Sequence, residues 1–496
     1  MAITSFGRTN APDRIDPHVV RIAIVVVLGS IMTILDTTIV NVALASLSKD
    51  LHTPLSSLQW VVSAYLLSLA AVIPVCGWAV RKYGAFRIYM QALVLFTLGS
   101  ALCGLATTAP ELIFFRALQG LGGGLLMPTG MILLVQAAGR ENLPRVMSAI
   151  GVPMVLAPVI GPTLGGFLLQ SVSWHAIFMI NVPIGVVTAV FAVRLLPRDR
   201  TEEPVGRLDW SGLMLSALGT IGITYGLSQT ASSGSFGSPD VILPIVGGAV
   251  LLVIFVLRSR RTVNPLLDLR LYAIRSYSAA SVLMFCLCAA LFGAMILLPL
   301  YFQEARGEDA IRTGLLLIPQ GVGASIGMNR SAMATTRLGA GLTCLIGVVI
   351  VSVATIPYLF VGGSTSYVLI GAAMVVRGVG VGLAMMPAMT AAFVSLEPDQ
   401  VNDASPQLNV IQRVGGSLGT AVIAVVLQSS LAHDAGGPHP SADSIARAFA
   451  QSYVWVMVLT LMAVIPAVVL WRIERAMPTE TAEDGLPENA VMEILG

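Results

Sequence analysis

Asp36 stands near the middle of VVVLGSIMTILDTTIVNVALASL (Val25 to Leu47), a run otherwise apolar enough to lie in a bilayer. A carboxylate at that depth costs roughly 2.5–3.5 kcal/mol on insertion scales. Either it forms a structural hydrogen bond to neighbouring helices, or it works as a proton carrier or substrate counter-ion. The other ionisable residues inside apolar runs are Arg116, Arg377 and Arg413, and the amides include Gln59, Gln119, Asn181, Asn409 and Gln412. At ~1.5 Å per residue, Asp36 lies roughly 13 Å and Arg116 roughly 9 Å from the outer ends of their runs. That similar depth puts a direct or water-bridged pair within reach. Arg377 and Arg413 have no acid of comparable depth. They either snorkel and cap carbonyls or meet an anionic or lipid-like substrate group. Met127, Met386 and nearby methionines either fill the core or line an adaptable pocket, and together with Gln59, Gln119, Asn181, Arg377, Asn409 and Arg413 they form the candidate substrate cavity.

Composition says what must position these groups. Of 496 residues, 56% are hydrophobic and 11% charged, with a mean hydropathy of +0.85. Soluble proteins do not carry so much apolar surface, and a backbone inside lipid must be helical or a closed barrel. The expectation is an all-α polytopic membrane protein. The net charge of +2 suggests no nucleic-acid partner. Cys76, Cys103, Cys286, Cys288 and Cys344 all fall inside apolar runs and read as small apolar fillers. No nucleotide motif, metal cluster or nucleophile–base set is visible, so no catalysis, metal or cofactor is expected.

Fourteen spans are predicted, at about 20–45, 56–79, 87–107, 111–137, 145–170, 174–194, 209–228, 240–258, 276–302, 310–332, 339–360, 365–393, 404–432 and 449–472. With the N-terminus in the cytoplasm, inside segments hold twenty-one Arg and Lys residues. Outside segments hold four, Lys49, Arg306, Arg312 and Arg447. The stretch Glu397–Asp403 is inside yet acidic. The halves echo each other. RKYGA (Arg81–Ala85) is answered by TRLGA (Thr336–Ala340), and RALQGLGGGLLMP (Arg116–Pro128) loosely by RGVGVGLAMMP (Arg377–Pro387). The predicted organisation is therefore a tail at 1–19, a six-helix bundle at 20–200, two inserted helices at 201–262, a second six-helix bundle at 263–475 and a tail at 476–496. Both termini would be cytoplasmic, a transporter layout.

Together these motifs resemble the major facilitator superfamily, and within it the fourteen-span drug:proton antiporter family, over about residues 20–475. LDTTIVNVALASL is similar to its span-1 motif, with the acid at Asp36. LQWVVSAYLL, WHAIFMINVPIG, LDWSGLMLSALG and PLYFQ are similar to further hallmarks. FRALQGLGGGLLMP resembles motif B, whose arginine, here Arg116, the resemblance links to proton coupling. APVIGPTLGGFL resembles the antiporter motif C, at Pro158, Gly161, Pro162, Gly165 and Gly166. Motif A, Gly-x-x-x-Asp-Arg-x-Gly-Arg-Arg, reads GWAVRKYGAFR here. Gly77, Lys82 and Gly84 lie in this loop, but Arg81 stands where the family has Asp. That Asp is associated with latching the cytoplasmic gate, and Arg81 would repel a helix N-terminus. A standard latch is not expected. The resemblance implies a proton-driven bacterial plasma-membrane exporter of lipophilic compounds, monomeric and independent of ATP, drawing on the proton gradient. Its partners would be a lipophilic or lipid substrate, protons and membrane lipids. A lipid or lipid-conjugate transporter, or a non-transporting membrane sensor, are the alternatives.

Overall fold

The computed structural model describes residues 16–198, 206–233, 235–262, 265–434 and 441–476, so the two expected tails lie almost wholly outside the described residues. Sixteen α-helices follow in chain order. They are α1 (Pro17–Asp50), α2 (Leu55–Val72), α3 (Cys76–Tyr83), α4 (Ala85–Leu105), α5 (Ala109–Ser171), α6 (Trp174–Met179), α7 (Asn181–Leu195) and α8 (Trp210–Ser233). Then come α9 (Pro239–Ser259), α10 (Arg275–Leu300), α11 (Ala310–Leu338), α12 (Ala340–Thr355), α13 (Tyr367–Val394), α14 (Val401–Asp434), α15 (Ala442–Met462) and α16 (Val464–Ala476). Among the described residues, eleven segments are long and apolar enough to cross a membrane. The expected spans at 209–228 and 310–332 are helical, in α8 and α11, but are not among those eleven; the one at 145–170 is helical, in α5, with part of its side chains outside the described residues. Side chains such as Leu243 (71% exposed) and Val368 (81%) point outward, as lipid-facing residues do.

Breaks in the helices have local causes. Gly139, at φ 65°, divides α5 into two arms, a backbone conformation that costs any other L-residue strain. Gly84 (φ 89°) and Gly339 (φ 83°) each open a new helix in the two repeat turns, α4 and α12. The sequence repeat is therefore a backbone repeat. At the start of α5, Thr108 accepts from the Glu111 amide, and the Glu111 side chain accepts from the Thr108 amide. This capping box anchors the arm that carries Arg116 and Gln119.

Within the first half, α5 packs on α1, α2 and α4; within the second, α13 packs on α10, α11 and α12. Glycines set the register of both packings. Gly120 lies against the Tyr65 carbonyl of α2, Gly122 against Ala92 and Phe96 of α4, and Gly124 against Leu69. Gly378 lies against the Gln320 carbonyl of α11, Gly380 against Gly347 and Val351 of α12, and Gly382 against Ala324. The register therefore matches Gly120 with Gly378. Arg377 takes the place of Gln119, not that of Arg116, which the sequence likeness had suggested. Matching residue types misplaced the alignment by three residues, nearly one helical turn.

The halves meet through α5 with α11 and α13, and through α14 with α3 and α5. Ser405 Oγ donates to the Pro128 carbonyl (3.0 Å), Gln136 to Asn402 (3.2 Å), and Ser148 Oγ to the Met328 carbonyl. These contacts, with the Arg81–Asp403 pair described below, lie at the end of the bundle where α1 begins and α16 finishes, here called the terminal end. The α8–α9 pair sits beside both halves, α8 touching α2 and α14. Trp60 of α2 stacks on Tyr225 of α8 with ring centroids 5.9 Å apart.

Candidate functional site

Helices α5 and α7 reach Asp36 of α1, and α2 and α4 support them. Its Oδ2 accepts from Arg116 NH1 at 2.6 Å. Its Oδ1 accepts from Gln119 Nε2 at 2.8 Å and Asn181 Nδ2 at 3.1 Å. Arg116 is held in turn by the Val61 carbonyl (3.1 Å), by Gln119 Oε1 (2.8 Å) and by the Tyr65 ring, whose centroid lies 4.1 Å from the guanidinium carbon. Gln119 thus clamps both ions, one with its donor and one with its acceptor. Asn181 also donates to Ser100 Oγ (3.0 Å), and Ser100 donates to the Phe178 carbonyl (2.9 Å). Asp36, Arg116, Gln119, Asn181 and Ser100 are each 1% exposed or less. A buried pair of this kind persists only when further hydrogen bonds satisfy it, which this shell supplies.

The cluster contains more than the sequence located. Asp36 and Arg116 were expected to meet, and they do. Gln119 and Asn181 were expected to face a substrate cavity; the structure places both on the carboxylate. Tyr65 and Ser100 were not singled out. Their only signal is a polar atom inside an apolar run, which many structural residues share. Asn181 Oδ1 is buried with no hydrogen-bond partner among the described residues. All three donors point at the acid. They take three of the carboxylate's roughly four lone-pair sites, so a proton arriving on Oδ2 removes the charge that pairs with Arg116.

The antiporter motif packs on the same helix. A Cβ on Gly161 would collide with Thr38, and one on Gly165 would lie 3.0 Å from Ile39 Cγ2, both within a turn of Asp36. Gly166 has open space around it. The side chains of Pro158 and Pro162 lie outside the described residues. The remaining expected cavity residues do not form one group. Gln59 is exposed near the start of α2, and Met127 is half-buried. Met386 is buried where Gly151 closes against it, between the halves. Asn409 donates to the Ser405 carbonyl at 3.0 Å. Arg413 is half-buried on α14, its Nε without a partner among the described residues.

The gate loop departs from expectation. Arg81 NH1 pairs with Asp403 Oδ1 at 2.7 Å, in the first turn of α14. Gly77 sits where a Cβ would come 2.6 Å from the Asn402 carbonyl oxygen. A link between the halves therefore exists, with its charges exchanged. The acid lies at the N-terminus of α14 and the cation in the last turn of α3, so each suits the dipole of its own helix. Lys82 stands over the Trp78 ring, 4.7 Å from its centroid.

A profile of the Major Facilitator Superfamily matches residues 26–420. The Multidrug resistance protein B homolog of Mycobacterium tuberculosis is 36% identical over 430 residues, 86% of this chain and 79% of that protein. The Putative multidrug resistance protein MdtD of Escherichia coli is 30% identical over 454 residues, 90% of this chain and 93% of that protein. In fold alone, the human organic anion transporter MFSD10 (TETRAN) superposes with a TM-score of 0.62 at 14% identity, covering 92% of this chain and 99% of that one. The proton:xylose symporter XylE does so with a TM-score of 0.60 at 14% identity, covering 92% and 96%.

Proposed function

The chain belongs to the Major Facilitator Superfamily and is a multi-pass membrane transporter, and on that footing we propose that it exports lipophilic small molecules in exchange for protons. The observation that carries the reading is Asp36, a fully buried acid in an ion pair whose charge a proton would remove. The multidrug-resistance names of the bacterial relatives support the direction and the substrate class.

The reading takes the fourteen-span, six-two-six layout, with the terminal end facing the cytoplasm of a bacterial cell. The Arg81–Asp403 pair and the Ser148, Ser405 and Gln136 contacts hold that end together. Asp36 takes a proton from the outer phase. Its charge is lost, Arg116 keeps only the Val61 carbonyl, Gln119 and the Tyr65 ring, and the grip between α1 and α5 weakens. Substrate leaves, the halves rock, and the proton departs to the cytoplasm as the terminal end opens. The buried pair thereby ties helix position to proton occupancy.

Purified protein in liposomes, given an imposed pH gradient and a lipophilic fluorescent dye, tests this. Dye should accumulate only while the gradient stands, and a protonophore should stop it. Accumulation that ignores the gradient would overturn the coupling.

A further inference from the structure

Arg377 is the second fully buried arginine, 1% exposed, and its surroundings differ from those of Arg116 in one respect. Arg116 has an acid. Among the described residues Arg377 has neither an ion pair nor a hydrogen bond, and its Nε is buried without a partner. A cavity of ≈ 20 Å³ opens beside it, inside the second half. α10 contributes Leu287, Ala290 and Leu291, α12 contributes Val351, and Thr460 is the one other polar residue of the lining. The Tyr453 hydroxyl, also buried and unpartnered, lies within electrostatic range of the guanidinium.

The pseudo-repeat explains the vacancy. Arg377 occupies the register of Gln119, the residue that donates to Asp36 in the first half. α10 packs on α13 as α1 packs on α5, but it offers alanine and leucine to the cavity where α1 offers an aspartate. The second half has a donor at this place and no carboxylate for it to meet. A cation in a low-dielectric interior is costly without a counter-charge, and hydrophobic walls supply none.

We propose that this cavity binds a small inorganic anion of the chloride class, which serves as the counter-ion of Arg377. The volume admits a species about the size of one water, so gluconate or a larger carboxylate is excluded. The anion is a fixed structural ion of the second half, and its binding does not depend on proton coupling at Asp36.

The test is a thermal melt of the purified full chain in detergent, with chloride exchanged for gluconate at constant pH and ionic strength. Chloride and bromide should each raise Tm saturably, by about 3 °C; gluconate should not. In Arg377→Met the halide dependence should vanish. Ala290→Asp, which supplies an internal carboxylate to the cavity, should also abolish it, and this variant decides the matter if Arg377→Met does not fold. Equal Tm in chloride and gluconate would mean that the cavity holds only water. A halide effect that survives either substitution would place the ion elsewhere. Either result overturns the proposal, and neither bears on dye transport.

Discussion

Removing Arg116 alone leaves the Asp36 carboxylate buried with only two amide donors, whereas removing both charges leaves no unpaired ion. Arg116→Ala should therefore lose about 3–5 kcal/mol of stability, and Asp36→Asn/Arg116→Gln should recover most of it. Thermal or denaturant melts of the single and double variants in detergent check this. Equal losses in single and double variants would mean that the pair is not an energetic unit. The sequence made this pair legible because depth along a span converts to distance, and both residues sit about two turns from the same membrane face. It did not place Gln119 and Asn181. Residue type shows that a side chain is polar, not which way its helix turns it. The register of Arg377 was missed for a related reason: R and MP align by identity, while the glycines at 120, 122 and 124 pack against backbone that the sequence does not display.

Where elements meet, α3 and the first turn of α14 decide whether the terminal end stays shut. Arg81→Asp would set two carboxylates against each other and put the new one beside Asp403. With cysteines introduced as Gln136→Cys and Asn402→Cys, whose side chains now touch, Arg81→Asp should cut cross-linking about 2–5-fold, as expected for a partly exposed pair. Arg81→Asp/Asp403→Arg should restore it in part only, because an arginine opposes the α14 dipole. Unchanged cross-linking in Arg81→Asp would show that the glycine and serine contacts hold the gate without the ion pair. The clue was present in the sequence as two separate anomalies, an arginine in an acid's place and an acidic stretch on a basic side. Their partnership spans most of the chain, and no local pattern joins residues so far apart.

For the molecule as a whole, hydropathy and loop charge carry the most information, because lipid leaves the backbone few choices and arginine-rich loops stay inside. They yielded an all-helical reading, and the described residues fold into helices. Two expected spans, in α8 and α11, are less apolar than the segments counted, and α11 packs on α5 between the halves. A helix that faces protein needs less apolar surface than one that faces lipid. Orientation is checked in whole cells with a membrane-impermeant maleimide. Gly237→Cys, in the α8–α9 turn, should label at once, and Arg260→Cys, after α9, only after lysis. The reverse pattern would invert the proposed topology. The central claim is that Asp36 couples transport to protons, and its most direct test compares wild type with Asp36→Asn in liposomes, by dye uptake with and without a pH gradient. The account predicts that the variant keeps downhill dye movement and loses gradient-driven accumulation altogether. Full accumulation by Asp36→Asn would contradict it.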